Sequence, residues 1–288
     1  MRPGRQRLAH AVSLGSVIGC ASLAGLQGGS GDAGSGDAGG AEATTPEATP
    51  GDTGTADRDA MAPEATPGDG PVNEGSAPGI SLLTVVEQPQ ISNSGFQLMF
   101  AESDGALLVL AVYWTAQDAI AVSDTAGNTW NSTFPAAGSG TTLQIWYAAN
   151  APAATSNTVT VALPIAADAG NLMGGILVEY AGAARVAPLD GLARSFGAAS
   201  TIPMNVGPLI TTGQADLVVG VFADVTDLGT MIAGSGFFSE ATDPVYATIF
   251  EDNPPYALPP GTHHLTALLP TDAGTGSWVA VGAAFKAE

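Results

Sequence analysis

The sequence predicts an all-β protein, a β-sandwich or barrel that follows a disordered N-terminal stalk. Between residues 80 and 288 short apolar runs alternate with turn-forming clusters at intervals of roughly 8–15 residues, and no helix-period stretch interrupts them. Before residue 80 the chain is rich in Gly, Ala, Thr, Pro and acidic residues. We therefore divide it into a signal peptide at 1–19, a linker at 20–79 and a sandwich domain at 80–288.

The first 19 residues have the layout of an export signal. Arg2, Arg5 and Arg7 form a basic start, and a moderately apolar stretch at 8–18 follows. That stretch has the length of a signal-peptide core and is too short for a bilayer-spanning helix, which needs about 20 residues.

Residues 17–20, Val-Ile-Gly-Cys, end this segment and resemble the lipobox of bacterial lipoproteins. The resemblance implies a diacylglyceryl group on the thiol of Cys20, cleavage before Cys20 and acylation of its new amine with a chain such as palmitate. Several acyl chains give durable membrane anchoring. Ala21 rather than aspartate after the cysteine implies the outer membrane or cell surface. Ordinary secretion without lipid, with cleavage near 22–24, is the alternative.

The predicted linker carries repeats and few apolar residues. The heptapeptide Pro-Glu-Ala-Thr-Pro-Gly-Asp occurs at 46–52 and again at 63–69. Such a segment cannot bury enough apolar surface to offset its chain entropy, so we expect disorder. A spacer that holds the domain off a membrane is one interpretation, and a tolerated low-complexity tail is the other.

The charge of the chain limits its partners. The formal net charge is −20, so phosphate backbones repel the protein and nucleic-acid binding is not expected. The same charge argues against docking on anionic lipid. The single cysteine excludes a disulfide within the chain. The membrane, through lipid on Cys20, and a carbohydrate or surface-protein ligand remain as partners.

Individual strands can be placed by periodicity. Residues 157–163 alternate, with Val159, Val161 and Leu163 on one face. Three segments read as central strands that are apolar on both faces: 107–112, 176–178 and 217–221. Four segments are predicted breakers between strands: 135–140, 188–191, 252–255 and 259–261.

Two of these segments resemble each other. Residues 105–112, Gly-Ala-Leu-Leu-Val-Leu-Ala-Val, are similar to residues 215–221, Ala-Asp-Leu-Val-Val-Gly-Val. A sandwich built from two related halves would explain the similarity, and so would the shared composition of core strands.

A wider set of short motifs runs through the same region. They are Ser-Asp-Thr-Ala-Gly-Asn-Thr-Trp at 123–130, Ile-Trp-Tyr-Ala-Ala-Asn at 145–150, Glu-Tyr-Ala-Gly at 179–182, Pro-Leu-Asp-Gly at 188–191, Ala-Asp-Leu-Val-Val-Gly at 215–220 and Ala-Phe-Lys at 284–286. In this order they resemble a β-sandwich module that recurs in uncharacterised exported, surface-associated bacterial proteins. The resemblance covers about residues 80–286 and implies an antiparallel β-sandwich of jelly-roll-like or immunoglobulin-like type at an extracellular site, without catalytic residues to carry over.

The motif at 123–130 has a structural and a functional interpretation. Gly-Asn at 127–128 predicts a tight hairpin in which Asp124 accepts hydrogen bonds from turn amides. A calcium site that uses Asp124 and Asn128 is the alternative, although calcium prefers six to eight oxygen ligands.

Trp146 is the best candidate for a ligand platform. It alternates away from Leu143, Ile145 and Tyr147, so it can lie exposed on the face opposite to theirs. It can equally lie inside the sandwich with those three residues outside.

Catalytic motifs are absent from the sequence: there is no nucleophile elbow, phosphate-binding loop or His-Glu-x-x-His motif. Glu179, alone on an apolar strand, would support a polysaccharide hydrolase if a second carboxylate faced it across a cleft. Glu240, Asp243, Glu251 and Asp252 are expected in solvated loops near proline turns. The sequence thus favours a non-catalytic surface module that binds carbohydrate or another ligand, with a purely structural envelope lipoprotein next and a hydrolase last.

Overall fold

The computed structural model describes residues 79–92, 94–115, 118–138, 140–164, 171–198, 203–224, 229–244, 247–256, 258–269 and 277–288. The predicted signal peptide, Cys20 and the predicted linker up to residue 78 lie outside the described residues. Within these ranges, no helix is long and apolar enough to cross a membrane.

The described residues form seventeen strands and no helix. The first half contains β1 (Ser81–Ser92), β2 (Gly95–Glu102), β3 (Ala106–Trp114), β4 (Ala121–Asp124), β5 (Asn131–Ser132), β6 (Ala136–Gly138), β7 (Thr141–Ala151), β8 (Ala154–Ala162) and β9 (Leu172–Ala181). The second half contains β10 (Leu189–Ala198), β11 (Met204–Thr211), β12 (Leu217–Ala223), β13 (Ile232–Ala233), β14 (Phe238–Asp243), β15 (Thr248–Asp252), β16 (Gly261–Leu268) and β17 (Ser277–Phe285). The predicted all-β class is confirmed.

These strands pair into four antiparallel sheets, two in each half. The first inner sheet has the order β1-β9-β3-β7-β5, with β6 also paired to β7, and the first outer sheet has the order β2-β8-β4. The second inner sheet has the order β10-β17-β12-β15-β14, and the second outer sheet has the order β11-β16-β13. In each half, successive strands pass back and forth between the two sheets, as in a jelly roll.

The two halves repeat one topology. β1, β9, β3 and β7 of the first half correspond to β10, β17, β12 and β15 of the second, and β2-β8-β4 corresponds to β11-β16-β13. The similar segments 105–112 and 215–221 fall on the equivalent strands β3 and β12. Gly105 and Ala215, which precede them, both have a positive φ, at 72° and 63°. The described chain therefore consists of two related sandwiches, as the internal similarity suggested.

Three layers of core lie between the four sheets. One lies between the outer and inner sheets of the first sandwich and another between those of the second, while the third joins the two inner sheets. Strands β3, β9, β12 and β17 are consequently buried on both faces. This confirms the prediction for 107–112, 176–178 and 217–221, because a strand between two cores needs apolar residues at every position.

Three local predictions are wrong. Residues 135–140 are not simply a breaker, because β6 lies within them and pairs with β7. Residues 188–191 do not separate strands, because β10 begins at Leu189 and accommodates Asp190 in a bulge. Residues 124–131 do not form a hairpin, because β4 pairs with β8 in the outer sheet whereas β5 pairs with β7 in the inner sheet. This segment instead carries the chain from one sheet to the other.

Candidate functional site

The Asp124 carboxylate organises the crossing between β4 and β5. Its Oδ1 accepts hydrogen bonds from the backbone N–H groups of Gly127 at 2.7 Å and Asn128 at 3.0 Å. Its Oδ2 accepts from Asn128 Nδ2 at 2.8 Å and from Trp130 Nε1 at 2.9 Å. Although burial alone would raise the pKa of Asp124, these donors lower it below its ordinary value. The prediction that Asp124 binds turn amides is confirmed.

This geometry does not suit calcium. Asn128 faces Asp124 with its amide nitrogen, which cannot ligate a cation, and both Asp124 oxygens already accept protein hydrogens. In the described ranges, no group of three or more His, Cys, Asp or Glu residues is arranged to hold a metal ion. The hydrogen bonds of Asp124 and Asn128 therefore stabilise the turn.

Glu179 does have a carboxylate neighbour, but the pair is closed inside the first sandwich. Glu179 Oε1 accepts from the backbone N–H of Ser103 at 2.7 Å, and the residue is 1% exposed. Its neighbour Glu102 accepts from Asn128 Nδ2 and Asn157 Nδ2, each at 2.7 Å. Burial raises the pKa of Glu102, and these two amides act against the rise. Neither acid lines a cavity described below, so the open cleft that a hydrolase requires is not formed by this pair.

Trp146 lies inside the first sandwich, as the second predicted alternative has it, but the three residues on the other face of β7 do not lie outside. It is half-buried and packs against the core between the first outer and inner sheets. Its Nε1 is buried without a hydrogen-bond partner among the described residues. Leu143, Ile145 and Tyr147 point to the opposite core, between the two inner sheets. Because both faces of β7 are covered, Trp146 is not an open platform.

A cavity of about 520 Å³ lies where β3 ends and β7 begins. We call it the Trp114 cavity. It is lined by Trp114, Asp118, Ala119, Pro135, Ala137, Gly138, Gly140, Thr141, Thr142 and Gln144. Its size falls within the range of small-molecule sites, and its wall combines apolar surface with a few polar groups.

Hydrogen bonds hold the polar wall of this cavity in place. Trp114 Nε1 donates to the carbonyl of Asp118 at 3.1 Å, which fixes the backbone after β3. Gln144 Nε2 donates to the carbonyl of Thr133 at 2.6 Å. Thr141 is 2% exposed, and its Oγ1 has no partner among the described residues. A buried hydroxyl without a partner is costly to the fold, and this oxygen is closed off from the open volume of the cavity.

Two smaller cavities are lined in part by residues 134–138. One, of about 410 Å³, shares Ala137 and Gly138 with the Trp114 cavity and adds Phe196 and Trp278. The other, of about 210 Å³, is lined by Phe134, Leu192, Ala193 and Arg194. Phe134 and Phe196 are 71% and 72% exposed, and the Arg194 guanidinium carbon lies 6.0 Å from the Phe134 ring centre. The rim therefore presents two aromatic rings to solvent.

A second polar region joins the two sandwiches. Tyr180 of the first inner sheet donates to Asp252 Oδ2 of the second inner sheet at 2.7 Å, and Tyr256 donates to the same oxygen at 3.2 Å. Tyr113 and Asp243 form an equivalent hydrogen bond between the inner sheets.

The predicted placement of the acids of β14 and β15 in solvated loops is wrong, because all four lie on strands. Asp243, Glu251 and Asp252 are 4%, 0% and 0% exposed, and Glu240 is half-buried. Burial raises the pKa of Asp252 to about 7, with the charge of Glu240 contributing. Burial also raises the pKa of Glu251 to about 8, against the backbone N–H of Gly234 that donates to it.

Comparisons of the chain with protein-family models, curated proteins and solved structures gave no match. Sequence reasoning missed Trp114, Thr141 and Gln144. The one signal near them was the breaker at 135–140, which indicated a loop but not a cavity.

Proposed function

We propose that the protein is an exported lipoprotein whose sandwich region is a non-catalytic module that binds carbohydrate in the Trp114 cavity. The observation that carries the proposal is the cavity of about 520 Å³, whose wall combines the apolar surface of Trp114 with the polar side chains of Asp118 and Gln144. A ligand that carries both apolar surface and hydroxyl groups can bind to such a wall.

The rest of the wall suits a sugar. A sugar ring offers apolar C–H faces together with hydroxyl donors and acceptors around its edge. Trp114 and Pro135 supply apolar surface, while the exposed Asp118 supplies a carboxylate that can accept hydrogen bonds from hydroxyls. The exposed rings of Phe134 and Phe196 extend the apolar surface beyond the cavity.

The proposed location comes from the N-terminal sequence. The lipobox-like residues 17–20 follow a basic start and a short apolar stretch, and Cys20 is the only cysteine. Acyl chains on Cys20 would anchor the protein to a membrane, and the acidic, proline-containing segment after it would separate the sandwich region from the lipid surface.

A glycan-array experiment with the full chain tests the binding proposal. We compare the wild type with Asp118→Ala, which removes the exposed carboxylate of the cavity, and with Asp104→Ala, an exposed acid outside the cavity, as the matched control. We expect Asp118→Ala to weaken binding by roughly two- to tenfold, the equivalent of one hydrogen bond. Asp104→Ala should bind as the wild type does.

A purely structural envelope lipoprotein is the second candidate. The observation that favours it is the use of the conspicuous polar motif residues in internal hydrogen bonds, as in the Asp124 turn. A folded protein that binds no glycan on the array would favour this candidate over the carbohydrate-binding module.

A further inference from the structure

Lys286 is the only lysine of the chain, and it meets a buried carboxylate. Its Nζ lies 3.3 Å from Oδ1 of Asp190. The Lys286 side chain is 42% exposed, whereas that of Asp190 is 3% exposed. The two residues lie on neighbouring segments, because Asp190 occupies the bulge at the start of β10 and Lys286 follows the end of β17.

The Asp190 carboxyl is held by donors on both oxygens. Its Oδ2 accepts from the backbone N–H groups of Thr212 and, at 3.2 Å, of Gly213. Its Oδ1 accepts from Thr212 Oγ1 at 2.6 Å. Two backbone N–H groups on one carboxyl oxygen form the arrangement that stabilises the negative charge of a tetrahedral intermediate at the adjacent carbon.

A second carboxyl group stands beside this pair. Asp216 is 0% exposed; its Oδ2 accepts from the Gly213 N–H at 3.3 Å, while its Oδ1 is buried without a partner among the described residues. Burial raises the pKa of Asp216 to about 6, and the Asp190 carboxylate contributes to the rise. Asp216 can therefore hold a proton next to Asp190.

We propose that Lys286 and Asp190 become joined by a side-chain amide bond, formed within the folded second sandwich. The proposal stands on the short approach of the nucleophilic nitrogen to the carboxyl group, the two backbone donors on Oδ2 and the buried Asp216 alongside. It is independent of the proposed ligand.

The reaction needs no outside reagent. The Lys286 nitrogen, after loss of a proton, attacks Cγ of Asp190, and a new C–N bond forms. A carboxyl oxygen of Asp190 then leaves as water, with Asp216 supplying a proton to the departing oxygen and regaining one from the nitrogen. An ammonium and a carboxylate are converted into an amide and one water molecule, so atoms and charge balance.

The amide bond would join the first and last strands of the second sandwich. β10 and β17 are its first and last strands and lie side by side in the second inner sheet. A covalent link between them makes nearly all of this half a closed loop, which limits the freedom of the unfolded chain in the way a disulfide does. The chain has one cysteine and so cannot form such a link by oxidation within itself.

Peptide mapping of the purified full chain by mass spectrometry, after denaturation and proteolysis, tests the proposal. We expect one branched peptide that contains Asp190 and Lys286 and is lighter than the sum of its parts by one water molecule. In the matched variant Lys286→Arg, which keeps the positive charge, the two peptides should separate. An amine-reactive reagent should leave Lys286 of the denatured wild type unlabelled.

Separate Asp190 and Lys286 peptides from folded wild-type protein, with Lys286 labelled, would overturn the proposal and leave an ordinary ion pair. Asp216→Asn tests the role of the second acid, because it keeps the lysine and Asp190 in place. We expect a smaller linked fraction at a fixed time after refolding. Linking at the wild-type rate would exclude Asp216 from the reaction.

Discussion

The side chain of Asp124 accepts four hydrogen bonds within seven residues of sequence, two from backbone and two from side chains. All four donors lie between Gly127 and Trp130, so the pattern is local and can be recognised in the sequence. Local acceptors of this kind fix turns by satisfying backbone N–H groups that the strands leave unpaired.

Removing this carboxylate should destabilise the first sandwich. We expect Asp124→Ala to lower the free energy of unfolding by about 1–3 kcal/mol, because the donors on Asp124 lose their partner. Chemical denaturation measures the change. Asp124→Asn, which keeps one acceptor oxygen, should lose less, and equal losses for both variants would contradict this explanation.

Trp114 and Thr141 illustrate what the sequence does not predict. Residues 115–140, 26 in all, separate β3 from β7 along the sequence, and only the antiparallel pairing of the two strands brings Trp114 opposite Thr142. The candidate site is thus made by long-range pairing, whereas the Asp124 turn is made by neighbours. The sequence could not show that Glu179 and Trp146 are covered, for a related reason. Alternation along a strand identifies the face on which a residue lies but not what packs against that face.

At the scale of the elements, the packing of β3 against β9 requires the Tyr113 side chain of β3 to lie close to the backbone of Gly174 on β9. A Cβ atom on Gly174 of β9 would lie 2.2 Å from Oη of Tyr113 on β3. Tyr113 in turn donates to Asp243 of β14. Gly174 therefore makes room for the tyrosine that links the two inner sheets.

Gly174→Ala should displace Tyr113 and weaken this link. We expect a loss of about 1–3 kcal/mol in the free energy of unfolding, the usual cost of overpacking a core. Gly261→Ala is the matched control, because nothing lies within 4 Å of a Cβ at that position. A control as unstable as Gly174→Ala would show that strand flexibility, not the contact with Tyr113, sets the cost.

The described residues form a stack of four sheets, which the sequence predicts only in part. Continuous apolar runs such as 217–221 correctly indicate burial on both faces, and the similarity of 105–112 to 215–221 indicates two halves. Neither signal gives the sheet order, because that order depends on which distant strands pair. The placement of Asp252 in a solvated loop was wrong because one of its tyrosine partners, Tyr180, lies on the other sandwich and the other, Tyr256, lies beyond the end of β15.

The same acids should make stability depend on pH. The pKa of Glu251 rises from 4.5 to about 8 and that of Asp252 from 3.8 to about 7 on folding. The folded state therefore binds more protons than the unfolded state between pH 4.5 and 8, and stability falls as pH rises through this window. The lowered pKa of Asp124 acts only below its ordinary value of 3.8.

Thermal unfolding at pH 5 and pH 8.5 measures this dependence. We expect a higher midpoint at pH 5 for the wild type and a smaller difference for Glu251→Gln, which cannot ionise. A wild-type midpoint that is unchanged or higher at pH 8.5 would contradict the buried, protonated state of these acids.

The proposed membrane anchor makes a prediction for the whole chain in its cell. We expect a labelled palmitate analogue to be incorporated into the wild type and not into Cys20→Ser, and the variant to appear in the soluble fraction without detergent. Ala21→Ser, which leaves the cysteine in place, is the control. Label in Cys20→Ser would place the lipid elsewhere, and absence of label from the wild type would favour ordinary secretion.

The most direct test of the binding proposal uses the four tryptophans of the chain as reporters. In a ¹H–¹⁵N spectrum of the full chain, each indole N–H gives a separate signal that a Trp→Phe variant can assign. Titration with a glycan that binds on the array should shift the Trp114 signal and leave that of Trp130, which donates to Asp124, in place. Saturable binding that leaves the Trp114 signal unchanged would show that the ligand site lies outside the Trp114 cavity and would contradict the proposal.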